Sequence, residues 1–191
     1  MHNKQIKSWA KAHWDANTQG RFAIMPYALS PLIQKLCFSE DILENLVKVS
    51  ITLTSDNIQN ASTETMWAEP LGNDLYRLQN SPFAAYGFSY LDVVKAIGNE
   101  TPEVVEIVES SGHSTYRVQL ETGVLESDRF GQYWQKLENI GCTFEGSQSK
   151  LLSIDVPPST DIFTAYSILE SGESAGVWEF EEAKCAHSTE T

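Results

Sequence analysis

From residue 113 onward the hydrophobic pattern changes period in a fixed order, and that order leaves few folds open. Thr115-Tyr-Arg-Val-Gln-Leu alternates with period two, so Tyr116, Val118 and Leu120 point one way. Ser127 then offers an N-cap for a helix to about Ile140. Phe130, Tyr133, Trp134, Leu137 and Ile140 form its apolar stripe, and Gly141 supplies a left-handed stop. Cys142-Thr-Phe-Glu and Leu151-Leu-Ser-Ile-Asp-Val read as two further strands joined through Gly146-Ser-Gln-Ser. Pro157-Pro-Ser-Thr-Asp opens a second helix with Ile162, Ala165 and Leu169 inward. Gly172 is expected to end it, and Val177-Trp-Glu-Phe-Glu is the last strand. The order β-α-β-β-α-β predicts a ferredoxin-like unit over residues 113–183.

The preceding stretch, residues 46–112, has no helical period. Leu46-Val-Lys-Val-Ser-Ile-Thr-Leu alternates, with Val47, Val49, Ile51 and Leu53 on one face. Thr65-Met-Trp-Ala-Glu, Leu75-Tyr-Arg-Leu, Pro82-Phe-Ala-Ala-Tyr-Gly, Asp92-Val-Val-Lys-Ala-Ile and Val104-Val-Glu-Ile-Val follow, separated by Gly, Asn, Asp and Pro. Short strands with such breaks predict a small, curled antiparallel β-barrel. Residues 1–45 read as a helical extension, with Ile6, Trp9, Ala10 and His13 at helix spacing and a second stretch after Pro31. Residues 184–191 read as a flexible tail. The fold class is therefore α+β: helical extension, small barrel, ferredoxin-like unit.

Charge narrows the function classes. The chain carries 26 Asp and Glu against 13 Lys and Arg, for a formal net charge of −13. Residues 1–50 hold six basic and four acidic side chains, so the remainder stands at −15. A field of that sign repels nucleic acid and anionic lipid and draws in basic partners. Cys37, Cys142 and Cys185 are odd in number and far apart, which argues against a disulfide framework or a zinc site and for a reducing cytoplasm. There is no secretory leader pattern and no apolar run long enough to span a bilayer, so a soluble cytoplasmic protein is expected.

In a ferredoxin-like unit both helices cover one sheet face. The alternation sends Val118, Leu120, Leu152, Ile154, Val156, Trp178 and Phe180 to that side. Arg117, Gln119, Ser153, Asp155, Glu179 and Glu181, with Glu145, fall on the other. RNA-binding modules of this topology place aromatic and basic side chains there, and this chain does not. The expected use of an open acidic face is solvation or the docking of a basic protein, with Arg117 spacing the carboxylates.

Catalytic signatures are absent. His113 and Ser114 are neighbours, and in an extended chain neighbours face opposite ways, so this histidine does not activate this serine. Gly112-His113-Ser114 instead reads as the turn from barrel to sheet, and Asp92 as a turn residue at a strand entrance. None of the histidines has metal-ligand spacing with another His, Cys or carboxylate, and no phosphate-binding or nucleophile-elbow motif is present, so no metal or cofactor is expected.

Trp67-Ala-Glu, Tyr76-Arg-Leu, Asn80-Ser-Pro-Phe, Tyr86-Gly-Phe-Ser, Asp92-Val-Val, Ser111-Gly-His-Ser-Thr and Arg117-Val occur in a serial order that resembles the bacterial domain-of-unknown-function family 4265. Gly141-Cys-Thr-Phe-Glu-Gly, Asp155-Val-Pro-Pro and Gly176-Val-Trp-Glu-Phe-Glu-Glu continue it, so that the resemblance covers roughly residues 46–183. It implies a stand-alone bacterial cytosolic protein of the size and acidity common among immunity proteins encoded beside toxins. The first expectation is a non-enzymatic immunity protein that occludes a cognate toxin with a basic surface, through Asp155, Glu179, Glu181, Glu145 and Arg117. The second is a small-molecule-binding or regulatory module with its ligand between the two subdomains near His113 and Asp92. A hydrolase using His113 with Asp92 is the weakest.

Overall fold

The computed structural model describes residues 45–53, 62–125, 127–146 and 150–189. The expected N-terminal helices lie outside these residues.

Five strands close into a barrel in chain order: β1 (Val47–Thr52), β2 (Thr63–Gly72), β3 (Leu75–Leu78), β4 (Val93–Ile97) and β5 (Glu103–Glu109). Neighbours are antiparallel except at the closure, where β1 meets β5 in parallel with Ser50 opposite Glu103. Alternation on β1 puts Val49 and Ile51 in the interior with Met66, Ala68, Leu78, Val94 and Ala96. Gly72, Asn73 and Asp74 all have positive φ, the backbone that the tight turn between β2 and β3 requires.

The second half is β6 (Ser114–Leu120), α1 (Arg129–Asn139), β7 (Thr143–Gly146), β8 (Leu151–Val156), α2 (Ile162–Ser174) and β9 (Trp178–Lys184). The four strands form one sheet in the order β7-β8-β6-β9, every pair antiparallel. Mixed helix and strand, a closed barrel and a separate sheet thus agree with the sequence at the level of architecture.

The strand phase follows the alternation. Tyr116, Val118, Leu120, Leu152, Ile154, Val156 and Trp178 meet Leu137, Ile162, Ala165 and Leu169 of the two helices in one apolar core. Three local expectations need correction. Helix α1 begins after Asp128, so the cap stands one residue beyond the expected one; the Ser127 hydroxyl donates to the Val124 carbonyl at 3.0 Å and its oxygen accepts the Arg129 N–H at 3.4 Å. Gly172 does not end α2. It lies inside the helix, where the Trp178 ring would sit 2.3 Å from any added Cβ, so only glycine admits that packing. The tail is held as far as His187: Ala186 donates its N–H to Ser114 Oγ at 2.9 Å, and Ser114 Oγ and His187 Nδ1 are 2.7 Å apart.

Pro82–Gly87 is also not a strand. Residues 81–91 run as an irregular segment between β3 and β4, and most of them are buried or nearly so. An irregular segment survives burial only when its backbone groups find partners. Those partners include Glu145, Arg117 and Ser153, which the sequence had placed on an open sheet face.

Candidate functional site

Residues 81–91 lie across the sheet face opposite the helices, and side chains from both halves of the molecule hold them. From the barrel, the β2 residue Glu64 accepts three backbone N–H groups, from Phe83 at 2.6 Å, Ala84 at 3.0 Å and Ala85 at 2.6 Å. Consecutive amides converging on one carboxylate form an anion nest, occupied here by the chain's own glutamate. From the sheet, Glu145 accepts the Ser81 N–H at 2.7 Å, and Ser153 Oγ donates to the Pro82 carbonyl at 2.8 Å. Arg117 Nη2 donates to the Ala85 carbonyl, and the Gly87 N–H reaches the Ala183 carbonyl at 3.0 Å.

Charges within this joint come in pairs. Arg117 is 1% exposed and contacts Glu181 at 3.1 Å, while Tyr86 donates its hydroxyl to the second Glu181 oxygen at 2.8 Å. The guanidinium also stacks over the Tyr86 ring at 4.4 Å. His113 Nδ1 lies 2.7 Å from Asp155 Oδ1. Asp92 accepts from the Ser89 and Ser111 amides at 2.8 and 2.9 Å and from Lys184 Nζ at 2.8 Å. Each of the three buried carboxylates, Asp92, Asp155 and Glu181, therefore has its own basic partner. Pairing of this kind is what makes buried charge tolerable.

The joint also perturbs its titrating groups. Burial raises Glu145 from an ordinary 4.5 to about 7; the Ser81 amide opposes this, and the carboxylates of Asp155 and Glu64 add to it. Burial, and then Glu181, push the Tyr86 hydroxyl up to about 12, so it remains a donor. Cys142 is raised to about 12, chiefly by burial and further by Asp155, which leaves a thiol with little nucleophilic character.

These positions overturn the expectation of an open acidic face. The alternation assigned the sides correctly, but residues 81–91 cover that side. Asp155, Glu181 and Arg117 are buried, and Glu145 is tucked under Ser81. Of the expected docking carboxylates Glu179 alone is exposed. His113 and Asp92 do stand at the meeting of the halves, as the sequence suggested, but His113 Nδ1 and both Asp92 oxygens bind neighbouring protein groups. The shallow groove of about 530 Å³ found elsewhere runs along α1 from Leu125 to Glu138 and touches neither residue. His113 and Ser114 turn to different partners, Asp155 and His187, as neighbours on a strand must.

Sequence reasoning missed Glu64, His187 and Lys184. Their partners stand 19 to 92 positions away in the chain, beyond the reach of any local pattern. One signal was available. The uncovered side of β8 would have carried Leu151, Ser153 and Asp155, an apolar and two short polar side chains suited to a covered face rather than a solvated one.

Among the described residues no helix is long and apolar enough to cross a membrane. Nor does any group of three or more His, Cys, Asp or Glu side chains among them have the geometry to hold a metal ion. With the geometry in place, three comparisons add to it. The family model described as "Domain of unknown function (DUF4265)" matches residues 64–180, which include Glu64, Asp92, Arg117, Glu145 and Asp155 of the joint and stop just short of Glu181 and Lys184. A crystal structure of a hypothetical protein from Neisseria gonorrhoeae is similar in fold, with a TM-score of 0.60 and 16% identity over 74% of this chain and 96% of that one. No curated protein matches the chain.

Proposed function

We propose, from the premise that this chain belongs to domain-of-unknown-function family 4265, that it is a non-enzymatic protein-binding module whose partner is basic. The form we favour is an immunity protein that neutralises a cognate toxin in the bacterial cytoplasm. The observation that carries this reading is the division of charge. The joint uses Arg117 and Lys184 internally, which removes cations from the surface. Among the described residues twelve exposed carboxylates then face only three exposed Lys or Arg side chains, Lys48, Arg129 and Lys136. Such a surface accelerates encounter with a cationic protein and disfavours phosphate backbones.

The sheet no longer supplies the docking surface, so the reading rests on the outer shell as a whole. The second half is read as a ferredoxin-like unit serving as scaffold; the β7-β8-β6-β9 order supports that description. The test is co-expression with the toxin domain encoded by the neighbouring gene. The proposal expects growth to be restored and the purified pair to lose affinity as salt rises from about 50 to about 300 mM. Absence of rescue, or affinity indifferent to salt, would overturn it.

A further inference from the structure

Strand β5 follows an uncommon rule: Glu103-Val-Val-Glu-Ile-Val-Glu109 repeats every three residues, not every two. A regular strand cannot satisfy such a repeat, because it would turn one glutamate of the three into the barrel. Two register shifts against β4 resolve the conflict. Val104 pairs with the core residue Ala96 and Ile107, itself 37% exposed, with the core residue Val94, while Val105 and Val108 are the extra residues at the two irregularities. A bulge re-aims side chains, and here each bulge turns a valine outward. Val105 is 52% exposed and Val108 51%, and they stand between Glu103, Glu106 and Glu109, all exposed. Ile97, opposite Glu103 and 52% exposed, extends the strip. Along its other edge β5 pairs with β1 only at Glu103 among the described residues.

Resting on the partner-binding reading above, we propose that β5 is the contact surface, and that its occupant is an extended, basic-apolar segment of the protein partner, added as a strand along Glu106–Glu109. Strand addition supplies main-chain hydrogen bonds to the edge, and alternate side chains supply selection. Along the outward face of the segment, which takes every second residue, Lys or Arg side chains meet Glu106 and Glu109 and apolar ones between them cover Val105 and Val108. Charge selects this occupant over a second copy of the chain, which would set glutamates against glutamates along the shared edge.

The probe is a fluorescein-labelled extended peptide in which Lys and Val take turns at every second position with Thr between them, so that one face carries both, titrated into the full chain by fluorescence anisotropy. Saturable binding is expected, weakened about tenfold or more by Glu106→Lys or by Val108→Glu. It should vanish for a peptide whose edge-facing residues are N-methylated and cannot donate. Both substitutions are at exposed sites, so an unchanged melting temperature verifies the fold. Equal binding by wild type and both variants would overturn the proposal, as would equal binding of the N-methylated peptide. A dimer in sedimentation that Val108→Glu dissolves would overturn it too, naming the second copy as occupant. The toxin domain distinguishes failures: if it binds wild type and both β5 variants alike, partner binding stands and this location falls. If it binds none while the peptide behaves as expected, β5 stands and the toxin-neutralising reading falls.

Discussion

Glu145 shows how one side chain links the joint to pH. Its carboxyl accepts the Ser81 amide, yet burial raises its affinity for a proton, from an ordinary 4.5 to about 7. The folded state therefore holds a proton that the unfolded state has already lost between those two values. Stability from this group is fullest below about pH 4.5 and falls as pH rises to about 7, after which it is level. A tenfold change in proton affinity corresponds to ~1.4 kcal/mol, so the loss is at most about 3 kcal/mol. Gln at this position keeps an oxygen for Ser81 and has nothing to ionise. Urea unfolding of Glu145→Gln and wild type should diverge with pH, the variant gaining about 2–3 kcal/mol relative to wild type between pH 5 and pH 8. A constant difference would show that Glu145 is solvated. Arg117 gives the converse case. Its removal by Arg117→Ala strands the Glu181 carboxylate in the interior, for an expected loss of about 3–5 kcal/mol in the same measurement.

At the scale of elements, helix α2 depends on a missing side chain. Gly172 sits under the Trp178 ring, whose Nε1 donates to the Leu169 carbonyl at 2.9 Å. Gly172→Ala should cost about 1–3 kcal/mol despite alanine's better helix propensity, because the ring and its hydrogen bond must move. Thermal unfolding checks this, and an unchanged or raised melting temperature would show that the ring has room. The same residue marks where sequence was legible and where it was not. Ile162, Ala165 and Leu169 were assignable from helical spacing, because a face buried against a sheet imprints its period on the chain. Gly172 looked like a terminator because glycine at a helix end and glycine under an aromatic ring are the same letter. Strand β5 is recognisable as a strand, yet its period of three and the bulges that accommodate it become meaningful only once β4 is beside it. Residues 81–91 carry no period at all, since their geometry is dictated by Glu64, Asp92, Arg117 and Glu145 from elsewhere.

Across the whole molecule, the joint makes one cooperative body of a barrel and a sheet that are separate in topology. Glu64 belongs to the barrel, Arg117 and Glu145 to the sheet, and all hold the same segment. Replacing Glu64 with Gln offers an amide N–H to amides that need an acceptor, and should lower stability by about 2–3 kcal/mol. The charge of the described residues divides along the same line: carboxylates paired with basic groups inside the joint, an excess of exposed carboxylates outside. That division underlies the partner-binding proposal, because an acidic surface is informative only after the acids used in building the fold have been set aside.

Amide hydrogen exchange at Phe83, Ala84, Ala85 and Ser89 tests the joint most directly. These four N–H groups belong to an irregular segment, yet they donate to Glu64 and Asp92. Protection comparable to the strand amides of β6 and β8, lost from Phe83, Ala84 and Ala85 in a Glu64→Ala protein, is the predicted result. Exchange at the rate of an open loop in the wild-type protein would contradict it, and would return the acidic sheet face to solvent.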